Sequence, residues 1–236
     1  MMDTDPLNSH PMRLWLATTN PAFVAASVDL GLFDGVLTNP TLLATVHRPP
    51  REVILDLCAA SSLPVFYQLK HDSVEAMKRE ATSLLELGIQ NLGIKVAVTR
   101  SGWTILNWLS AEKVALRLAT CVPTVTQVLL AAALDVPWIT PSGSLLEKLG
   151  GSSKLALIAE MQAVLERQGS ETRLIPSLAS TAELQAFAQV GVRNGFVWEK
   201  DVARFVDSEL VESTVRSFDS AWAQLDRASV SQIRPS

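Results

Sequence analysis

The chain has 236 residues, 48% hydrophobic and 19% charged, which is enough to bury a full core in one large globular domain. A formal net charge of -4, with acidic and basic residues interspersed, leaves no footprint of nucleic-acid binding. The acidic start MMDTDPLNSHP lacks the apolar run of a secretory signal, and VLLAAALDVPWI is broken by Asp135 and Pro137 short of the ~20 apolar residues that span a membrane, so a cytoplasmic protein with no membrane partner is expected.

In chain order, short β-like runs alternate with longer amphipathic stretches, the pattern of βα units on a parallel sheet. Eight runs read as strands: LWLAT, GVLTN, VFYQL, LGIKV, ALRLAT, WITP, RLIPS and GFVW. Helical periodicity fills the gaps, as in DSVEAMKREATSLLELG and KLALIAEMQAVLERQG, each stopped by a glycine. The expected fold is a (β/α)8 TIM barrel over 12–206, preceded by a tail over 1–11. A doubly wound open sheet is the alternative, but no glycine-rich phosphate fingerprint follows any strand. An extra amphipathic helix is expected over 207–227, with Leu210, Val211, Val215, Phe218 and Trp222 on one stripe, and a disordered tail over 228–236.

Barrel chemistry sits at the C-terminal strand ends, and the polar residues there are few. They are Thr18 and Thr19, Thr38 and Asn39, Gln68, Lys95, Thr120, Thr140 and Ser142, and Ser177. This set holds no carboxylate, histidine or metal-ligand cluster, so no cofactor or metal is expected. Cys58 and Cys121 have no metal or redox spacing and read as small buried hydrophobes. Lys95 interrupts the apolar run of NLGIKVAVT. A buried ammonium without a counter-charge lowers its pKa and becomes a neutral amine, a nucleophile; the alternative is a strand-end lysine that snorkels to water. Its place at the barrel mouth favours the catalytic reading. Trp15, Trp138 and Trp198 read as barrel filling, and His10, His47 and His71 fall outside the strands.

DGVLTNPTLLA (34–44), then GIKVAVTRSGWTIL with its strand-end lysine, then LATCVPTVTQVLLAAALDVPWITP together resemble the transaldolase family, in particular its small branch that includes fructose-6-phosphate aldolase. The resemblance runs from Met12 to about Leu225, and TNPTLL is its most specific piece. It implies a class I mechanism in which Lys95 forms a Schiff base with a ketose carbonyl and the protonated imine accepts the electrons of the breaking C–C bond. By the same resemblance Gln68 and Thr120 hold a proton-shuttling water, and Asn39 contacts substrate hydroxyls. Thr38, Ser142 and Ser177 complete the expected substrate-binding set. A helix like that over 207–227 packs on a neighbouring subunit in the small branch, which implies a homo-oligomer.

The sequence departs from this family at several positions. Ala17 stands where the family's first strand ends in Asp, and Ser142 where the aldolase branch has Tyr. Leu145 and Ala179 stand where basic residues grip a phosphate, with Lys148 one turn beyond the first. One surviving hydroxyl, Ser177, cannot replace a guanidinium fork for a dianion. Three readings follow: a Schiff-base enzyme acting on a non-phosphorylated or atypical carbonyl substrate, a catalytically inactive transaldolase-like scaffold, and a conventional sugar-phosphate transaldolase. Retention of a lysine that is costly to bury places the first ahead.

Overall fold

The structure, a computed structural model, describes residues 11–142 and 153–232. Strands β1 (Arg13–Ala17), β2 (Phe33–Leu37), β3 (Val65–Gln68), β4 (Leu92–Ala97), β5 (Arg117–Val122), β6 (Trp138–Pro141), β7 (Arg173–Leu174) and β8 (Asn194–Trp198) alternate with helices. These helices are α1 (Pro21–Val28), α2 (Pro40–Thr45), α3 (Pro50–Ala60), α4 (Val74–Leu85), α5 (Arg100–Ala111), α6 (Val125–Ala133), α7 (Lys154–Arg167) and α8 (Thr181–Gln189). All strand pairs are parallel and follow the order β7-β6-β5-β4-β3-β2-β1-β8. A Ser177–Phe196 bridge brings β7 to β8, with Phe196 N donating to Pro176 O at 2.9 Å and Leu178 N to Phe196 O at 2.8 Å. The fold is therefore the (β/α)8 barrel. Its strand β7 is shorter than RLIPS suggested, because Pro176 has no N–H to give to the ladder.

Helix starts follow local chemistry. Asn20, Asn39, Ser73, Thr99, Thr124, Ser153 and Ser180 each cap a helix by accepting a backbone N–H, which satisfies a donor that no helical carbonyl can reach. Behind α7, Gly169 takes a left-handed φ of 60°, a conformation glycine adopts without a Cβ clash, and the chain turns toward β7.

The barrel interior is packed with side chains from strands that are not neighbours. Trp15 of β1, Phe66 of β3 and Trp138 of β6 meet with ring centroids 5.6 to 5.9 Å apart, and such contacts can form only across the barrel axis. Leu37, Leu118 and Ile175 join them, with Phe196 packed alongside. Glycines make room for the rings: a Cβ at Gly93 would lie 2.6 Å from Phe66 Cε1.

Among the described residues, those up to Lys200 form one compact unit and those from Asp201 onward a second. The second contains α9 (Val202–Val206) and α10 (Glu209–Gln232), so helix continues into the segment expected as a tail from 228 onward. No helix among the described residues is long and apolar enough to cross a membrane.

Candidate active site

A second layer lies two residues beyond each packed interior position. Ala17 follows Trp15, Asn39 follows Leu37, Gln68 follows Phe66, Lys95 follows Gly93, Thr120 follows Leu118, Thr140 follows Trp138, Ser177 follows Ile175 and Trp198 follows Phe196. Strand side chains alternate, so this layer faces the same axis one step nearer the C-terminal mouth. By this alternation Lys95, Gln68, Thr120, Asn39 and Ser177 fall in the layer, while Thr38 is one residue out of phase.

Lys95 is buried at 6% exposure, and the one hydrogen bond of its side chain among the described residues runs from Nζ to the Thr38 carbonyl at 3.0 Å. Burial pulls the ammonium down from 10.5 to about 8, opposed by the Cys121 sulfur. Gln68 pairs with Lys95 in register, is half-buried, and lines a cleft of about 460 Å3 with Leu43, His47, Tyr67 and Lys70. Thr140 Oγ1 donates to Thr120 Oγ1 at 2.8 Å, which leaves the Thr120 hydroxyl proton for a water or a substrate. Asn39 Oδ1 is used by the helix cap, accepting from Leu42 N at 2.8 Å, and its amide Nδ2 remains for a ligand.

Thr38 and Cys121 differ from their sequence reading. The Thr38 side chain points away from the mouth and donates to Phe66 O at 2.8 Å, so this residue offers the site its carbonyl and not its hydroxyl. Ser142 is tied through its backbone N to Val122 O at 3.1 Å. Cys121 is exposed, not buried: it sits with φ 60° where the β5–β6 register shifts, and the extra residue of such a bulge turns out of the ladder. Cys58 is buried, and burial raises its thiol to about 11. Tyr67 turns outward as alternation requires, donating to Glu80 Oε1 at 2.7 Å. Leu145, Lys148 and His10 lie outside the described residues.

Two carboxylates escaped the sequence inventory. Glu199, directly after β8, lines a cleft of about 550 Å3 together with Ala17, Thr18, Leu42 and Trp198. Its oxygens accept from Thr18 Oγ1 at 2.5 Å and Asn20 Nδ2 at 2.9 Å. The signal was available, since GFVWEK places an acid at the one strand end the inventory omitted. Glu183 of α8 lies beyond β7, where its Oε2 accepts from Ala179 N at 2.8 Å and from Lys154 Nζ at 2.8 Å. Lys154 also donates to Ser177 O at 2.8 Å. No local pattern announces that arrangement, because the lysine and the carboxylate come from different helices.

Fold and layer define a TIM barrel that carries a buried amine, Lys95, in the polar layer toward its C-terminal mouth. Residues 14–164 match the family model described as Transaldolase/Fructose-6-phosphate aldolase, and the chain belongs to that family. A "Probable transaldolase" of Streptococcus pyogenes serotype M2 (strain MGAS10270) is 27% identical over 217 residues, covering 92% of this chain and 100% of its own. One from serotype M1 aligns over the same lengths at the same identity. Among solved structures, flavocytochrome b2 with sulfite bound superposes with a TM-score of 0.58 at 13% identity. The match covers 83% of this chain and 59% of that one, and the likeness is one of fold alone.

Proposed function

We propose that the chain makes or breaks a C–C bond through a Schiff base on Lys95, as an aldolase- or transaldolase-like enzyme acting on a carbonyl substrate without a phosphate. The observation that carries this reading is the buried amine. With its pKa at about 8, Lys95 is a free nucleophile in about a tenth of molecules at pH 7, against roughly one in 3000 for a solvated lysine. The amine adds to the carbonyl and loses water, and the resulting iminium draws in the electrons of the breaking bond. Gln68 and Thr120 hold a water that shuttles protons between the amine and the carbonyl oxygen as the imine forms. Asn39 Nδ2 and the Ser142 and Ser177 hydroxyls face the substrate, while the Thr38 carbonyl orients the amine.

Glu183 supports the absence of phosphate from the substrate. Its carboxylate already occupies Lys154 and the Ala179 N–H, the groups beyond β7 that an anion would seek, and it would repel an incoming dianion. Ala17, a methyl group where a proton-transfer residue would be expected, favours the second reading, an inactive transaldolase-like scaffold. A cytoplasmic location and assembly into a homo-oligomer through the C-terminal helix belong to the first reading.

Incubation with dihydroxyacetone or hydroxyacetone followed by borohydride tests the proposal. The reduced adduct should map to Lys95, disappear in Lys95→Met, and form at an unchanged rate in millimolar inorganic phosphate. No label with a broad panel of ketones and aldehydes, or equal labelling of surface lysines, would leave the scaffold reading in its place.

A further inference from the structure

Breaking a C–C bond through an iminium needs a base for the hydroxyl proton of the departing carbon, and protonating the resulting enamine needs an acid. In the layer around Lys95, neither Asn39, Gln68, Thr120, Thr140 nor Ser177 changes charge near neutral pH. The cleft beside Ala17 does contain a carboxylate. Its walls include Ala17 and Trp198 of that layer, with Glu199 next to them. The cleft opens on the same end of the barrel as the amine: Ala17 pairs with Leu37, and Thr38, the next residue, accepts the Lys95 hydrogen bond. Glu199 follows Trp198 by one residue but begins a short helical turn, so its side chain reaches the cleft free of strand alternation. Glu199 is also held in place. Thr18 Oγ1 fixes one oxygen and Asn20 Nδ2 the other, and Asn20 is itself fixed by its cap on α1 and by its backbone N–H to Thr18 Oγ1 at 3.0 Å. Each oxygen retains a lone pair for a substrate proton.

We propose that Glu199 is the proton-transfer residue of this site, with Thr18 and Asn20 as its positioning residues and the Ala17 cleft as the space for the substrate beyond its carbonyl. The proposal rests on the Schiff-base reading of Lys95. In cleavage, the Glu199 carboxylate takes the proton of the hydroxyl on the departing carbon. That O–H pair becomes the aldehyde C=O, the C–C pair moves to the enamine, and the iminium charge is neutralised. The Glu199 carboxyl then returns the proton to the enamine carbon, and water hydrolyses the iminium to free product and amine. The cleft's mix of Leu42 and Trp198 with Thr18, Thr45 and Glu199 suits a substrate with an apolar body and a hydroxyl next to the bond that breaks.

Hydroxyacetone serves as the probe, because enamine formation exchanges its α-protons with deuterated solvent without any aldehyde acceptor. Exchange is followed by proton NMR, imine formation by borohydride trapping, and folding by circular dichroism. In Glu199→Gln, exchange should fall by about 100-fold while trapping on Lys95 stays within about twofold of the unsubstituted protein. In Glu199→Ala, added formate should restore exchange in proportion to its concentration, a response that a purely structural role would not give. Trapped Lys95 with exchange undiminished in Glu199→Gln, or a folded Glu199→Ala that formate does not rescue, would overturn this assignment alone. Failure to trap Lys95 in the unsubstituted protein would remove the Schiff-base reading on which it rests.

Discussion

Replacing Lys95 by methionine keeps the length of the side chain and removes its charge, which separates what the amine costs the fold from what it does chemically. In the folded chain the ammonium titrates at about 8, and in the unfolded chain near 10.5. Below pH 8 both states are protonated and the burial cost is fully present; between 8 and 10.5 only the unfolded state holds the proton, so stability rises with pH across that window. The shift corresponds to about 3 kcal/mol, from which losing the hydrogen bond to Thr38 O removes about 1. Lys95→Met should therefore be more stable than the unsubstituted protein by about 2 kcal/mol at pH 7, with the gap closing toward pH 10, as read from urea midpoints. Equal midpoints at both pH values would mean that the amine is solvated. Lys95 was legible in the sequence because a cation inside an apolar strand has few physical explanations. The Thr38 hydroxyl was misplaced although strand alternation, which turns Tyr67 to Glu80, turns Thr38 outward as well. Cys121 could not be read, since a bulge depends on the register of the neighbouring strand.

Among the elements, the strands were the most legible, because runs such as LGIKV and VFYQL combine apolar content with β-branched and aromatic residues. Boundaries moved where hydrogen bonding decided them, as at Pro176 in β7. What the sequence does not display is the cross-barrel packing that joins β1, β3 and β6, contacts formed between segments far apart in the chain. Gly93 shows how tightly this packing supports the site. A methyl group there meets the Phe66 ring directly below Lys95 and beside Gln68, and the ring has no free side to which it can retreat. Gly93→Ala should cost about 1–3 kcal/mol of stability and slow imine trapping as the strand shifts, measurable by urea unfolding and borohydride labelling. Unchanged values for both would show that the ring can move aside.

For the whole molecule, α10 presents Leu210, Val211, Val215, Phe218 and Trp222 at 45–77% exposure on a single chain, an apolar stripe larger than scattered surface residues account for. We propose that this stripe is covered by other copies of the chain. Light scattering after size exclusion should give an oligomer for the full chain and a smaller species for a chain ended at Val206; a stable monomer in both cases would refute the assembly. The barrel has a different asymmetry. Trp15, Phe66 and Leu118 fill its interior below the polar layer at 1% exposure or less, so the fold is a cup and not a tube. Everything that reaches Lys95 enters and leaves by one opening. Under the proposed Schiff-base chemistry, a transfer between two carbonyl compounds would use that one opening twice, the first product leaving by the way the second reactant comes in while the other fragment stays bound to Lys95.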